Sequence, residues 1–183
     1  MKPQLGDTIL NRYTLVSSLR EEPGIQAWKA NDRVLAKDCQ LFIITNRSAF
    51  AAIDELAGRM AATRPDRVIP VLKYRMESDV LLIVMPVDSG QCLTDYMVDT
   101  AKPLSYSAIR SIIGECADVL REVIADTPSG IVITTDTVRV TTSGVQIADA
   151  PCATMLADTS ASDLRTDGFE RYAIRQLAAL LYT

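Results

Sequence analysis

Histidine is absent from this 183-residue chain. Its absence removes the base of a Ser-His-Asp or Cys-His nucleophile and the commonest metal ligand. Cysteine is sparse and scattered. Cys39, Cys92, Cys116 and Cys152 form no Cys-x-x-Cys pair, so zinc-site and thioredoxin-type chemistry lack their usual spacing. Without a secretory leader, four such residues read as buried reduced thiols, because reduced cysteine packs as a small hydrophobe. Long apolar runs are missing too. Nothing approaches the ~20 consecutive residues that a membrane span needs. The opening MKPQLGDTIL lacks a basic-then-apolar signal pattern, which argues against export. The expectation is therefore a soluble, cytoplasmic segment with no direct membrane insertion. Positive charge is not in excess: 19 Lys+Arg against 23 Asp+Glu give a net −4, a poor match for nucleic acid. What is present is ordinary globular usage, 48% hydrophobic and 23% charged, enough for one domain or two small lobes with a core.

The first ninety residues read as strands interrupted by one helix. Residues 12–16 are a short apolar run. Pro23-Gly24 signals a turn, and 25–30 returns as the second hairpin strand. Residues 39–45 (CQLFIIT) read as a third strand. The period then changes. Phe50, Ile53, Ala57, Met60 and Ala61 recur at helical spacing, with Asn46 or Ser48 as the cap. Residues 68–74 and 80–85 read as two more strands, joined by a polar turn at 75–79. Residues 86–90 (PVDSG) break the pattern like a hinge. Beyond them Ile109, Ile112, Ile113, Cys116, Leu120, Val123 and Ile124 form one stripe of a long helix over 105–126. Pro128-Ser129-Gly130 stops it. Short β pieces are expected at 131–133, 138–141 and 145–148, then a polar loop over 153–168. The chain closes in a helix over 169–182 that is still apolar where it ends.

Five strands with a helix after the third, a hinge, then a helical region with a small β insert is an order similar to that of a protein kinase. Particular residues carry the likeness. Residues 83–93 (IVMPVDSGQCL) resemble the hinge of bacterial serine/threonine kinases. Asn11-Arg12-Tyr13 and residues 28–32 (WKAND) resemble the first two strands, and 64–71 (RPDRVIPV) resembles the lead-in to the fourth. Residues 143–149 (SGVQIAD) resemble the hairpin that runs into the D-F-G motif, and the last helix resembles helix F. The resemblance implies an α+β, bilobal protein kinase-like fold. Its parts are a five-stranded N-lobe with helix C over 1–86, a hinge at 87–91, and a mainly helical, truncated C-lobe over 92–183.

The positions that carry kinase chemistry are the ones that have changed. A kinase needs a strand-three lysine, a helix C glutamate, a catalytic aspartate and metal ligands. V-A-I-K aligns with Cys39-Gln40-Leu41-Phe42, placing an aromatic ring where the cation belongs. The Gly-rich loop aligns with 19–25 (LREEPGI), where Gly24 is the only glycine and Glu21 and Glu22 oppose phosphate. H-R-D aligns with Ile133-Thr134-Thr135. Asp136 is displaced from the base position, and Thr137 stands near the metal-binding asparagine. D-F-G becomes Asp149-Ala150-Pro151. Glu55 is the candidate helix C glutamate, but it falls away from the apolar stripe and reads as a solvated charge. Phosphoryl transfer is nearly all positioning and charge neutralisation, so these losses together imply a pseudokinase that is not an enzyme and takes no cofactor.

Among pseudokinases the chain resembles the actinobacterial domains attached to MviN/MurJ-type membrane proteins. Glu22-Pro23-Gly24-Ile25-Gln26-Ala27-Trp28 matches their P-P-G-[IL]-Q-x-W pattern after its first position, and Val138-Arg139-Val140 matches their V-R-V. That resemblance implies a cytoplasmic domain tethered to a lipid II flippase, with a role in peptidoglycan synthesis. It implies threonine phosphorylation by an upstream serine/threonine kinase and recruitment of a forkhead-associated (FHA) domain protein. Thr154, Thr159 and Thr166 lie in the activation-loop segment and are the candidate acceptors; Thr63 ranks below them. Two alternatives are a nucleotide-binding switch retaining Asp149 and a weak atypical kinase using Asp136, Asp149 and Glu55. Phe42 and Trp28 are expected to fill space and not to stack on a ligand.

Overall fold

A computed structural model describes residues 3–77, 79–99, 104–126, 131–156 and 166–182. The chain divides into two compact units. The first comprises residues up to Ala62 together with Pro70–Val87; the second comprises Thr63–Ile69 and the chain from Asp88 onward. The short segment Thr63–Ile69 thus goes with the second unit, inside the range that the sequence reading assigned to the N-lobe.

The first unit is a six-stranded antiparallel sheet with one helix. The strands are β1 (Thr8–Ile9), β2 (Tyr13–Glu22), β3 (Ile25–Asp32), β4 (Lys37–Ile44), β5 (Lys73–Glu77) and β6 (Val80–Pro86). Their order is β1-β2-β3-β4-β6-β5. Five strands were expected; β1 is the addition, a two-residue strand paired to Tyr13 and Thr14 and too short to leave a pattern. Two register shifts in β2, between Leu15 and Ser17 and between Ser18 and Arg20, push Val16 and Leu19 out to solvent. Alternation along β3, β4 and β6 buries both faces of the sheet centre. One face carries Tyr13, Leu15, Trp28, Ala30, Cys39, Leu41, Ile43, Leu82 and Val84. The opposite face carries Ile25, Ala27, Phe42, Ile44, Leu81, Ile83 and Met85, all buried. Helix α1 (Phe50–Thr63) buries Phe50, Ile53, Leu56, Ala57 and Met60. It lies over this second face, since the hydroxyl of Tyr74, which pairs with Ile83, sits 3.0 Å from where a Cβ on Gly58 would be. Asn46 caps the 3-10 turn Arg47–Ala49 ahead of α1, accepting from the Ser48 amide at 3.2 Å.

The strand expected over 68–74 begins only at Lys73. Pro65 and Pro70 bracket its start and cannot donate, while Arg64 and Arg67 take positive φ of 46° and 59°. Residues 67–69 instead run beside Ile147: the Ile69 amide donates to its carbonyl at 2.9 Å and the Ile147 amide donates to Arg67 at 2.8 Å. The turn expected over 75–79 is shorter, because β5 and β6 stay paired out to Glu77 and Val80.

The second unit contains α2 (Leu93–Asp99), α3 (Tyr106–Asp126), α4 (Ala150–Leu156) and α5 (Thr166–Leu181), with a three-stranded sheet of β7 (Gln91–Cys92), β8 (Val138–Thr141) and β9 (Gly144–Ile147). Helix α3 buries Ile112, Cys116, Val119, Leu120 and Val123. The β piece expected at 131–133 is a buried irregular segment. The loop expected over 153–168 starts as helix α4, and the last helix opens at Thr166, three residues before the expected 169. Among the described residues no helix is long and apolar enough to cross a membrane.

Candidate functional site

Phe42 is 0% exposed. It pairs with Ala27 on β3 and Ile83 on β6, in the centre of the sheet face over which α1 lies. Gln40, two residues back on the same face, is buried as well. The strand position aligned with the kinase lysine is therefore filled with hydrocarbon. Glu55 stands on the outward side of α1, 62% exposed, in an i,i+4 pair with Arg59. Its partner is a surface arginine and not a strand residue, and such a pair contributes little.

The hairpin aligned with the Gly-rich loop is closed by Pro23-Gly24 between the paired residues Glu22 and Ile25. Gly24 has φ +82°, and a Cβ there would meet that of Asn46 at 2.7 Å. Its carbonyl accepts from the Thr45 amide at 2.9 Å. Glycine is thus required by a positive φ and by the close approach of the β4 exit, which ties the turn to the sheet. The tip carries two carboxylates: Glu21 accepts from Gln26 at 3.4 Å and Glu22 pairs with Arg20 at 3.4 Å.

In the second unit the segment aligned with the catalytic loop is a knot of threonines. Thr137, buried, accepts the Thr134 amide on its hydroxyl at 2.8 Å, while its own amide donates to the Thr134 carbonyl at 3.1 Å. Thr135 offers its carbonyl to the Cys92 thiol and to the Thr94 amide, both at 3.3 Å. The carboxylate of Asp136 accepts from the Thr94 hydroxyl at 2.8 Å. These side chains hold the backbone in a turn, and the acid nearest the base position is engaged in that task. The preceding residues Ile131, Val132 and Ile133 are buried and, among the described residues, have no strand partner. Gln176 of α5 supplies what a strand would: its side-chain oxygen accepts the Ile133 amide and its nitrogen donates to the Ile131 carbonyl at 3.4 Å. Gln176, the one glutamine of α5, is the only sequence signal for this contact.

Asp149 is 6% exposed and has φ +56°. Its carbonyl accepts from the Cys152 and Ala153 amides at 2.8 and 2.9 Å, so it opens α4. Ala150-Pro151 fill the first turn of that helix, where proline's missing donor costs nothing. Thr154 therefore belongs to α4 and Thr166 is the first residue of α5; neither lies in a loop. Thr159 lies outside the described residues.

The hinge residues meet the V-R-V motif. The Arg139 Nε donates to the Asp88 carboxylate, and the two side chains are only 14% and 16% exposed. A Cβ on Gly90 would fall 2.6 Å from that of Arg139, so glycine is required by close packing against β8.

No two of the four cysteines are joined in a disulfide. Burial, aided by the charges of Asp32 and Asp38, pushes the Cys39 thiol up to about 11. Burial, aided by Glu115, pushes Cys116 up to about 12. Cys92 is only half-buried, a departure from the uniformly buried set expected. Alkylation of the native chain at pH 8 should modify Cys92 first, with Cys39 and Cys116 at least ~100-fold slower for want of thiolate. Peptide mapping before and after denaturation reads this directly.

No protein-family model matches the chain, and no curated protein matches it. Solved structures do match. One is the crystal structure of Rad53 1-466 in complex with AMP-PNP, with a TM-score of 0.65 at 15% identity over 76% of this chain. The fold is protein kinase-like. The likeness is one of fold alone at this identity, and the matched part is 38% of that Rad53 chain.

Proposed function

We propose that this protein is a catalytically inactive pseudokinase that acts as a phosphorylation-dependent docking and regulatory domain. In this reading it is of the kind attached to MviN/MurJ-type membrane proteins, and it acts in the control of lipid II translocation. The observation that carries the proposal is Phe42, wholly buried at the strand position where a kinase keeps its phosphate-gripping lysine. An aromatic ring supplies no cation to a triphosphate, and transfer depends on such charge. The acidic, sheet-bound Pro23-Gly24 hairpin and the threonine knot around Asp136 support the same reading. So do the sequence matches at residues 22–28 and 138–140. Phosphothreonine would add a charge of about −2 and strong acceptors for an FHA surface.

Two measurements test it. Titration with ATP and Mg²⁺ to millimolar levels should leave the melting temperature unchanged. A ligand at a hundred times its Kd would add about 2.7 kcal/mol and a shift of a few degrees. A clear shift, abolished by Asp149→Asn, would instead establish the nucleotide-switch reading, which the retained and buried Asp149 favours. Phosphorylation by a serine/threonine kinase should then create micromolar affinity for an FHA domain where the unmodified chain has none. The variant with Thr154, Thr159 and Thr166 all changed to alanine should lose it. A phosphorylated chain without affinity for FHA domains would refute the docking role.

A further inference from the structure

The turn between β3 and β4 has the wrong composition for a surface turn. It spans residues 33–36, between the paired Asp32 and Lys37, and reads Arg-Val-Leu-Ala. Exposed turns favour Gly, Asn, Asp, Ser and Pro, which accept tight dihedrals or bond their own backbone. Here Val34 and Leu35 are 71% and 60% exposed. Ala36 holds a φ of +51°, a region that glycine or asparagine occupies at less cost. The apex is nonetheless firmly built. The Asp32 carboxylate accepts the Val34 and Leu35 amides at 3.0 and 3.3 Å, and Arg12 donates to both of its oxygens. The Arg33 amide donates to the Arg12 carbonyl at 3.0 Å. Two adjacent apolar side chains are thus held out in water on a fixed support.

Positive charge gathers around the same apex. Arg33 and Lys37 flank the two apolar residues and are exposed. Among the described residues neither has an ion-pair partner. The nearby acids are taken, Asp32 by Arg12 and Asp38 by Lys29 at 2.9 Å. The apex is therefore net positive on a chain that is net −4. A stable protein interface needs roughly 800 Å² from each side, more than two side chains on a turn supply. Nucleic acid would set Val34 and Leu35 against phosphate. A bilayer suits both parts, because apolar side chains enter the boundary between headgroups and acyl chains while cations stay level with the lipid phosphates. We propose that the β3–β4 turn is a peripheral contact for an anionic phospholipid surface, with Val34 and Leu35 entering the headgroup layer and Arg33 and Lys37 bound to lipid phosphate. One myristoyl chain binds half-maximally near ~0.1 mM lipid, and this smaller apolar tip binds more weakly, near ~1 mM. The contact is independent of the loss of phosphoryl transfer and of any phosphothreonine docking.

Co-sedimentation of the full chain with vesicles tests it, phosphatidylcholine alone against phosphatidylcholine with about one-third phosphatidylserine. The wild type should be half bound near ~1 mM accessible anionic lipid, and at least ~10-fold more weakly held by neutral vesicles or in ~0.5 M salt. Val34→Ser with Leu35→Ser keeps every charge and every amide that Asp32 accepts, and should weaken binding about tenfold. Arg33→Glu with Lys37→Glu keeps the apolar tip and should abolish binding. Leu35→Trp should strengthen it several-fold, since indole favours the membrane interface. All four side chains are exposed, and unchanged circular dichroism would show that each variant is folded. Soluble glycerophosphoserine at ~10 mM should not compete, because it offers phosphate without a surface. A wild type unbound at ~5 mM anionic lipid, tip variants that bind as well as the wild type, or displacement by the soluble headgroup each overturns the proposal.

Discussion

Changing Phe42 to alanine is expected to lower the stability of the first unit by about 4 kcal/mol, in the range for deleting a buried aromatic ring. The ring is fully enclosed, its strand neighbours Ala27 and Ile83 are buried, and α1 lies over the same face. Rigid sheet neighbours cannot collapse into the space it leaves, so the cavity term adds to the lost burial. Phe42→Lys, which restores the kinase residue, is expected to cost at least as much. It would place an ammonium among hydrocarbon side chains, and Glu55, the natural partner to look for, points outward toward Arg59. Neither variant should acquire ATP binding. Trp28 is the only tryptophan and lies on β3 of the same unit, so its fluorescence in a urea titration reports this unit's unfolding. A Phe42→Ala loss below ~1 kcal/mol would mean that the ring stands in an open cleft. The pseudokinase reading would then lose its main physical support.

The elements most legible in the sequence were those whose pattern is local. The stripe from Ile109 to Val123 specifies α3, and a short polar break between two β-branched runs specifies the β8–β9 hairpin, which turns at Thr142-Ser143. Pro23-Gly24 placed the β2–β3 turn for the same reason. The failures lie where a distant side chain does the work of a strand. Residues 131–133 carry a strand's composition, yet their backbone is satisfied by Gln176, more than forty positions away. Val68 and Ile69 are apolar and β-branched, but two prolines and two left-handed arginines bend them away to Ile147. Helix α4 was hidden because Ala150-Pro151 looks like a break, whereas proline in a first turn starts a helix. For the candidate site, alignment alone singled out Phe42, Asp149 and the threonines as residues to examine. What it did not convey was engagement: Asp136 held by Thr94, and Asp88 held by Arg139. Such pairings join residues more than forty positions apart, and nothing in their sequence neighbourhoods marks them.

Stability between pH 2 and pH 4 should depend on one ion pair at the start of the sheet. Arg12 donates through Nε to one oxygen of Asp32 at 2.9 Å and through its terminal nitrogen to the other at 2.6 Å. The same carboxylate accepts from the Val34 and Leu35 amides at 3.0 and 3.3 Å, shaping the turn that leaves β3. Asp32 is buried whereas Arg12 is partly open, so the carboxylate is the member whose charge depends on the partner. The Arg12 hydrogen bonds hold its carboxyl down to about 2, against the pull of burial and with help from the two amides. An unfolded aspartate titrates near ~3.9. The folded value is the lower one, so the unfolded chain binds the proton more readily and acid favours unfolding. The contribution, about 2 kcal/mol, is complete above pH ~4 and fades as pH falls toward 2. Arg12→Ala leaves the Asp32 carboxylate without its charged partner and should destabilise the fold at pH 7. Asp32→Asn should also destabilise at pH 7, but its deficit against the wild type should close as the wild-type carboxylate is protonated. Urea titrations followed by Trp28 fluorescence at pH 7, 4 and 2.5 separate these outcomes. A gap between wild type and Asp32→Asn that stays constant over that range would show that Asp32 stabilises the turn by shape and not by charge, and that Arg12 is not its electrostatic partner.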